Sequence, residues 1–365
     1  MPPPPTQWAT LAARPAPTFL PRSGRTALPL PTRDGFLLSG GYTEIVSGAT
    51  TPPVRAPTAE AWTVRLGPGG RSATTTPAPP GPPPRLAAAG ATVGDTAWLI
   101  GGWDPGSKGD GGTILADVWG CRLGGGGGGG GAWTPHPGAA LPAPASRHCT
   151  AAVPGGSAAI IIVTHRCGET VLRLDVSDPA APALGSVKCA PDPAAGYPPP
   201  RGLSTLVALE SDGGGTPASS SHDFLLFGGA PRRGGMDSDL WRLTIAGDAG
   251  QWRRVGGGGD VGTSAWPPPR CSHVAAALPG GMVVWGGSYY AADGGGLVAR
   301  GDARWWDEGE GVWAELSPVG DAQPLPRNAA AAAAAEVEEE GGATRRMGIL
   351  VAGGWDPFRV TYRGI

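Results

Sequence analysis

Lysine is almost absent from this chain. Of its 28 basic residues only Lys108 and Lys188 are lysine, and the other 26 are arginine. Charge of either sign is sparse: 16% of the 365 residues are charged and the formal net charge is −2. Nucleic-acid and membrane-surface binders need a concentrated positive field, so neither class fits. No apolar run approaches the length of about 18 residues that a membrane-spanning helix needs. The start, Met1-Pro2-Pro3-Pro4-Pro5, has no basic stretch followed by an apolar one, so no secretory signal is expected. The cysteines are few and scattered (Cys121, Cys149, Cys167, Cys189, Cys271). An odd, dispersed set is no disulfide framework, and a reducing cytoplasmic or nuclear compartment is expected. Scarce lysine removes any G-x-x-x-x-G-K-[ST] phosphate loop. No G-x-S-x-G elbow is present, and the matches to G-x-G-x-x-G fall in glycine tracts without a strand–turn–helix setting.

What is abundant is glycine and proline, 64 and 42 residues. Without a period, such a fraction reads as low complexity. But 40% of the residues are hydrophobic and 14 are tryptophan, enough bulk to build a core. Together with abundant alanine and arginine, the composition suggests G+C-rich codon usage, and the poly-Gly and poly-Ala tracts read as drift in loops.

A period organises the chain. Apolar runs end in a glycine pair at Gly40-Gly41, Gly101-Gly102, Gly228-Gly229, Gly286-Gly287 and Gly353-Gly354. Successive first glycines are 61, 127, 58 and 67 residues apart, so one pair is missing near residue 164, where Ile160-Ile161-Ile162-Val163 runs into Thr164-His165. An arginine, usually after proline, precedes each run: Arg22, Arg85, Arg147, Arg201, Arg270 and Arg327. An aromatic or apolar stretch follows each, centred on Trp62, Trp119, Leu172, Trp241, Trp305 and Tyr362, and three repeats add a late tryptophan (Trp133, Trp252, Trp313). Each repeat therefore reads as four short strands. Such strands cannot bury a face alone, so neighbouring sheets must stack.

The order of apolar run, Gly-Gly, aromatic and late tryptophan resembles the kelch repeat. The resemblance covers nearly the whole chain and is weakest in repeat three. It implies an all-β, six-bladed β-propeller as one domain over residues 1–365. Its blades would run over about 21–66, 84–136, 146–190, 200–255, 269–316 and 326–365, the last completed by residues 6–12. Five and seven blades are the alternatives. The final repeat lacks a fourth strand, and Gln7-Trp8-Ala9-Thr10-Leu11 looks like one, so the first strand would close the ring, as kelch propellers commonly do. One conflict is local: Ala329 to Ala335 favours helix by propensity, but its place after Pro326-Arg327 makes it the first strand of repeat six. Glu338 to Gly342 and Gly124 to Gly131 then read as loops.

In a four-stranded meander, the loops joining strands two and three share a side with the loops between repeats. Both sets are long here, which makes that side the expected interaction surface. The six arginines would ring its mouth. Two readings stay open: they bind carboxylates of an acidic peptide, as arginines in some kelch substrate adaptors do, or they bond loop carbonyls at sheet junctions. The pentapeptide Gly101-Gly102-Trp103-Asp104-Pro105 recurs as Gly353-Gly354-Trp355-Asp356-Pro357, so Trp103, Asp104, Trp355 and Asp356 are either twin contact points or turn-formers. Tyr289 and Tyr290 are a further aromatic contact candidate. His148, Cys149, His165 and Cys167 fall on pairing strands, but adjacent strand residues point to opposite faces, so no metal site is expected.

The expected function is that of a non-catalytic scaffold or adaptor, a monomer binding a protein partner without cofactor. No appended F-box or BTB domain is visible. The alternative is a propeller enzyme acting on a sugar or small metabolite in the central mouth. The Tyr and His copper set of galactose oxidase-like propellers is not recognisable here, nor is the Glu-x-x-x-Asp-x-x-x-His iron triad of nitrile-specifier proteins.

Overall fold

The structure is a computed structural model. It describes residues 6–7, 12–14, 19, 22–45, 54–70, 72–107, 111–124, 130–166, 168–209, 221–231, 235–257, 265–291, 296–319, 324–338, 345–356 and 361–362. The architecture is all-β. Among the described residues there is no α-helix, only the 3-10 turns Pro68–Gly70 and Pro137–Ala139.

Five four-stranded antiparallel meanders follow one another. Sheet I comprises Thr26–Pro29, Gly35–Ser39, Ala61–Leu66 and Ser72–Ala78. Sheet II comprises Ala89–Val93, Thr96–Asp104, Thr113–Arg122 and Trp133–Pro135. Sheet III comprises Cys149–Ala152, Ala159–Val163, Thr170–Asp175 and Ala183–Ala190. Sheet IV comprises Thr205–Ala208, Ser221–Pro231, Asp237–Ala246 and Ala249–Gly256. Sheet V comprises Val274–Leu278, Gly281–Trp285, Ala303–Asp307 and Val312–Leu316. A sixth repeat contributes the hairpin Ala331–Glu338 with Arg345–Ala352.

Second strands such as Ala159–Val163 and Gly281–Trp285 are buried at every position, because both of their faces are covered. That is why they read as unbroken apolar runs. The alanine tract is a strand, and alternation explains it: Ala331, Ala333 and Ala335 are buried, while Ala332 and Ala334 are half-buried. Eight residue pairs with Arg345–Ala352 and burial beside Phe36, Leu38, Trp62 and Val64 outweigh the modest helix propensity of alanine.

Contacts divide the chain into two compact units, Met1–Thr10 with Arg147–Asn328 and Leu11–Ser146 with Ala329–Ile365. In the first, Ile161, Val163, Phe224, Trp241 and Trp252 fill one core between sheets III and IV. Phe227, Met282, Val284, Trp306 and Trp313 fill another between IV and V, with Trp313 5.1 Å from Phe227 and 5.6 Å from Trp306. Removing any one of these tryptophans costs about 3–5 kcal/mol. In the second unit, Leu28, Leu37, Ala97 and Cys121 join sheets I and II.

The N-terminal strand is described only at its ends. Thr6–Gln7 runs parallel to Pro318–Val319, and Ala12–Arg14 runs parallel to Ser72–Thr74 on the outer edge of sheet I. Residues 8–11, with Trp8, lie outside the described residues. Thr361–Tyr362, the expected neighbour of this strand, pairs with Trp355–Asp356. A parallel clasp that sequence reasoning missed joins Lys188–Ala190 of sheet III to Ala249–Gln251 of sheet IV. The expected loops around Gly124 to Gly131 and Glu338 to Gly342 fall largely outside the described residues.

Candidate interaction surface

Proline stiffens the chain ahead of each brace arginine, and the arginine then turns back on it. Arg85 Nε donates to the Pro83 carbonyl at 3.0 Å, Arg201 Nε to that of Pro199 at 3.0 Å and Arg270 Nε to that of Pro268 at 3.2 Å. Nη1 of the same three donates to the first glycine of the pair, namely Gly101 at 3.0 Å, Gly228 at 3.2 Å and Gly286 at 3.1 Å. The remaining donors reach a carboxylate that lies within strand three (Asp117, Asp239) or just ahead of it (Asp302). Arg85 grips Asp117 with two bonds of 2.6 and 2.8 Å, Arg201 grips Asp239 through both oxygens, and Arg270 bonds Asp302 at 2.6 Å. Arg22 forks onto Glu60 with bonds of 3.1 Å. Two residues on, a tryptophan caps the same carboxylate: Trp62 on Glu60, Trp119 on Asp117 and Trp241 on Asp239, while in sheet V Arg304 takes this role on Asp302.

Bidentate, charge-assisted bonds of this kind are the strong ones. Burial alone would push the carboxyls of Asp117 and Asp302 up. The hydrogen bonds and charges of Arg85 and Trp119 at one, and of Arg270 and Arg304 at the other, outweigh it and hold both below the ordinary carboxylate value. The four arginines are 8%, 2%, 2% and 0% exposed in chain order (Arg22, Arg85, Arg201, Arg270), and the bonds given above are all made within the chain.

The glycine pairs complete the brace. All ten glycines have positive φ. A Cβ on Gly40 would stand 2.7 Å from the Arg85 carbonyl and one on Gly353 2.3 Å from that of Arg22, so only glycine admits the next repeat so closely. The second glycine donates to that carbonyl: Gly41 to Arg85, Gly229 to Arg270, Gly287 to Arg327 and Gly354 to Arg22, at 2.8–3.1 Å. In repeat three the acceptor is Ala145, bonded by Gly102 at 2.8 Å. Ala145, not Arg147, is thus the counterpart of the brace arginines, and Arg147 stands two residues downstream and is exposed.

Arg147 belongs to a second series. Gly24, Ala87, Arg147, Leu203, Ser272 and Ala329 each lie two residues before a first strand and have φ between 47° and 65°. Within the units they bond one another: Gly24 N–H to Ala329, Ala87 to Gly24, Leu203 to Arg147 and Ser272 to Leu203, at 2.8–3.3 Å. Arg327 keeps the proline-side bond, to Leu325 at 3.3 Å, and its guanidinium lies 5.7 Å from the Trp285 ring centre.

The aromatic candidates differ. Trp103 is half-buried and donates to the Gly111 carbonyl at 2.7 Å, and its backbone pairs with Leu86. Asp104 accepts from Gly106 N–H at 2.9 Å and so shapes its own turn. Trp355 is half-buried on a short strand, and the Asp356 side chain lies outside the described residues. Tyr289 carries the Arg300 guanidinium 4.0 Å above its ring, and Tyr290 is 60% exposed.

Histidine and cysteine serve packing. His273 is enclosed beside Phe227 with its Nε2 2.8 Å from Thr205 Oγ1, and burial, reinforced by the Arg270 charge, pushes its pKa down to about 3. Burial pushes the thiols of Cys121 and Cys189 up to about 11, away from thiolate chemistry. Cys149 Sγ donates to the Val163 carbonyl, while Cys167 lies outside the described residues. Among the described residues, no three His, Cys, Asp or Glu side chains gather to hold a metal. Sequence reasoning missed the carboxylates and Arg300. The signal was an Asp or Glu two residues ahead of Trp or Arg (Glu60/Trp62, Asp117/Trp119, Asp239/Trp241, Asp302/Arg304).

No protein-family model matches the chain. Adagio-like protein 1 of Oryza sativa subsp. japonica is 29% identical over 165 residues, 43% of this chain and 24% of that protein. Putative adagio-like protein 2 of the same organism is 27% identical over 164 residues, with the same shares of 43% and 24%. The chain thus spans about a quarter of the length of the curated relatives it matches.

Proposed function

We propose that the chain is a six-bladed kelch-type propeller that binds a protein partner through the side formed by its strand two–three loops and inter-repeat loops. Five meanders and a sixth hairpin in one strand order support the ring, and so does the bond from Gly354 of the last repeat back to Arg22 of the first. The rice relatives are kelch-repeat F-box proteins, which supports an interaction role. The observation that carries the reading is Tyr290: a large aromatic, 60% exposed, at the tip of a hairpin whose base is clamped by the Arg270 brace. Exposed aromatics on rigid loops are typical interface anchors. Within its own unit, Tyr289 on the same hairpin and Arg327 at the next inter-repeat junction accompany it. The test places a photo-crosslinking residue at position 290 and, separately, at Val312, which is 52% exposed on the opposite hairpin of sheet V. Adducts at 290 and none at 312 are expected, and the reverse pattern would defeat the proposal.

A further inference from the structure

The hairpin Ser288–Tyr290/Leu297–Ala299 of repeat five sets Tyr289 opposite Val298 and leads directly into Arg300. The Arg300 backbone is held on both sides: its N–H donates to Gly287 at 2.8 Å and its carbonyl accepts from Arg327 N–H at 3.2 Å. Its guanidinium lies over Tyr289 with Cζ 4.0 Å from the ring centre, and Nε donates to the Pro269 carbonyl at 3.3 Å. Both Nη groups, the fork that matches a carboxylate, have no hydrogen-bond partner among the described residues. Asp302 accepts from Arg270 and Arg304, both on Oδ2, and among the described residues no hydrogen bond joins it to Arg300.

We infer that Arg300, pre-set on the Tyr289 ring, is the docking point for a carboxylate side chain in an acidic segment of the protein partner, with Tyr290 as the neighbouring aromatic contact. The inference rests on the partner-face reading above and gives that partner a chemistry. Three features carry it. Stacking on an aromatic ring and the bond to Pro269 fix the guanidinium before any ligand arrives, so little side-chain freedom is lost on binding. The free edge offers two parallel N–H donors, the geometry that carboxylates take bidentately. The local charge is unbalanced: Arg270, Arg300 and Arg304 face Asp302 and, through Arg304, the exposed Glu315. Burial lowers the pKa of Arg300 while Asp302 and Tyr289 oppose this, as befits a cation half withdrawn from water.

The test uses the whole chain and two labelled peptides, Gly-Glu-Glu-Gly-Glu-Glu and its glutamine counterpart, followed by fluorescence anisotropy and by the NMR resonances of the arginine Nε–H groups. The glutamate peptide is expected to bind and to shift the Arg300 signal. Arg300→Gln should weaken binding about tenfold and Arg300→Lys about fivefold, since lysine keeps charge but not the fork, with the melting temperature of each variant unchanged. Tyr289→Leu should weaken it about threefold by freeing the guanidinium. Equal binding of the glutamine peptide, no binding of the glutamate peptide, or loss of binding in Arg147→Gln but not in Arg300→Gln would overturn the inference. Crosslinking at position 290 separates the two ideas: adducts there without glutamate-peptide binding leave the partner face standing and remove only the acidic docking point.

Discussion

Replacing Arg85 with methionine keeps most of the buried stem and removes only the charged fork. The side chain is 2% exposed and makes four hydrogen bonds. Its loss leaves the carbonyls of Pro83 and Gly101 without that donor, at about 1 kcal/mol each for such bonds. It also unpairs Asp117, whose side chain is 36% exposed, so solvent screening limits the ion-pair loss to about 1 kcal/mol. The expected sum is about 3 kcal/mol, the lower end of the range for removing one partner of a buried pair. Arg147 stands two residues before its first strand, where Arg85 stands four before its own, and it is exposed and outside the brace, so Arg147→Met should change stability by less than about 0.5 kcal/mol. Urea unfolding followed by tryptophan fluorescence measures both, since Trp119 caps the same carboxylate. A cycle with Asp117→Asn should return a coupling of about 1–2 kcal/mol. An equal shift of the unfolding midpoint in Arg85→Met and Arg147→Met would refute the register assignment, and no shift in Arg85→Met would refute the brace.

The His273 environment makes a signed pH prediction. Its folded pKa of about 3 lies below the ordinary 6.5, so between these values the unfolded chain takes a proton that the folded chain does not. Stability is full above pH 6.5 and falls as the pH drops; at pH 4.5 the loss from this group is about 3 kcal/mol. Urea midpoints at pH 7 and 4.5 should therefore differ less in His273→Gln than in the parent chain, and an unchanged difference would show that His273 is not held neutral. The positive-φ series predicts a reciprocal swap. Ala87→Gly should raise the thermal midpoint, because relief of left-handed strain, about 1–2 kcal/mol, exceeds the entropic cost of glycine, about 0.5–1. Gly24→Ala should lower it, although the nearest atoms stand at 3.4 Å and leave room for a Cβ. Midpoints moving the other way would mean that the ladder tolerates side chains without strain.

Much of the strand plan was legible because glycine pairs, arginines and tryptophans recur in fixed order, and each mark has a mechanical reason. The glycine pair admits the carbonyl of the next repeat, and the tryptophan caps the brace carboxylate. Position alone resolved the alanine tract against its propensity, because a close sheet junction prefers small side chains on its inner face. Repeat three misled for a physical reason. Ser146-Arg147 imitates the arginine mark, but Pro144-Ala145 is the pair that matches Pro84-Arg85. Only the bond from Gly102 to Ala145 reveals it. Tyr289 and Tyr290 were visible as residue types, whereas the partner of each guanidinium was not: Arg300 on Tyr289 and Arg270 on Asp302 depend on chain paths that spacing does not encode.

Repeat three also shows that the brace is a unit. By strand register it has Ala145 in place of the arginine, Thr164-His165 in place of the glycine pair, Thr170 in place of the carboxylate and Leu172 in place of the tryptophan. The four absences belong together. A buried arginine without its carboxylate would be an uncompensated charge, and a carboxylate without its arginine would titrate upward on burial. Without the arginine, no guanidinium donates to the carbonyl of the first residue of the pair, as Arg85, Arg201 and Arg270 do in their own repeats. Sheet III replaces this machinery with fully buried Ile160, Ile161 and Ile162 and with the parallel clasp to sheet IV. The same logic separates cations that hold the scaffold from cations that can meet a partner. Charges inside complete braces are neutralised by their own chain. Among the described residues, neither Arg147, standing where the brace is missing, nor Arg300, stacked beside the Arg270 brace, forms such a brace pair with a carboxylate. Arginine content by itself therefore says little about recognition by this chain, whereas brace membership decides which guanidinium can turn outward.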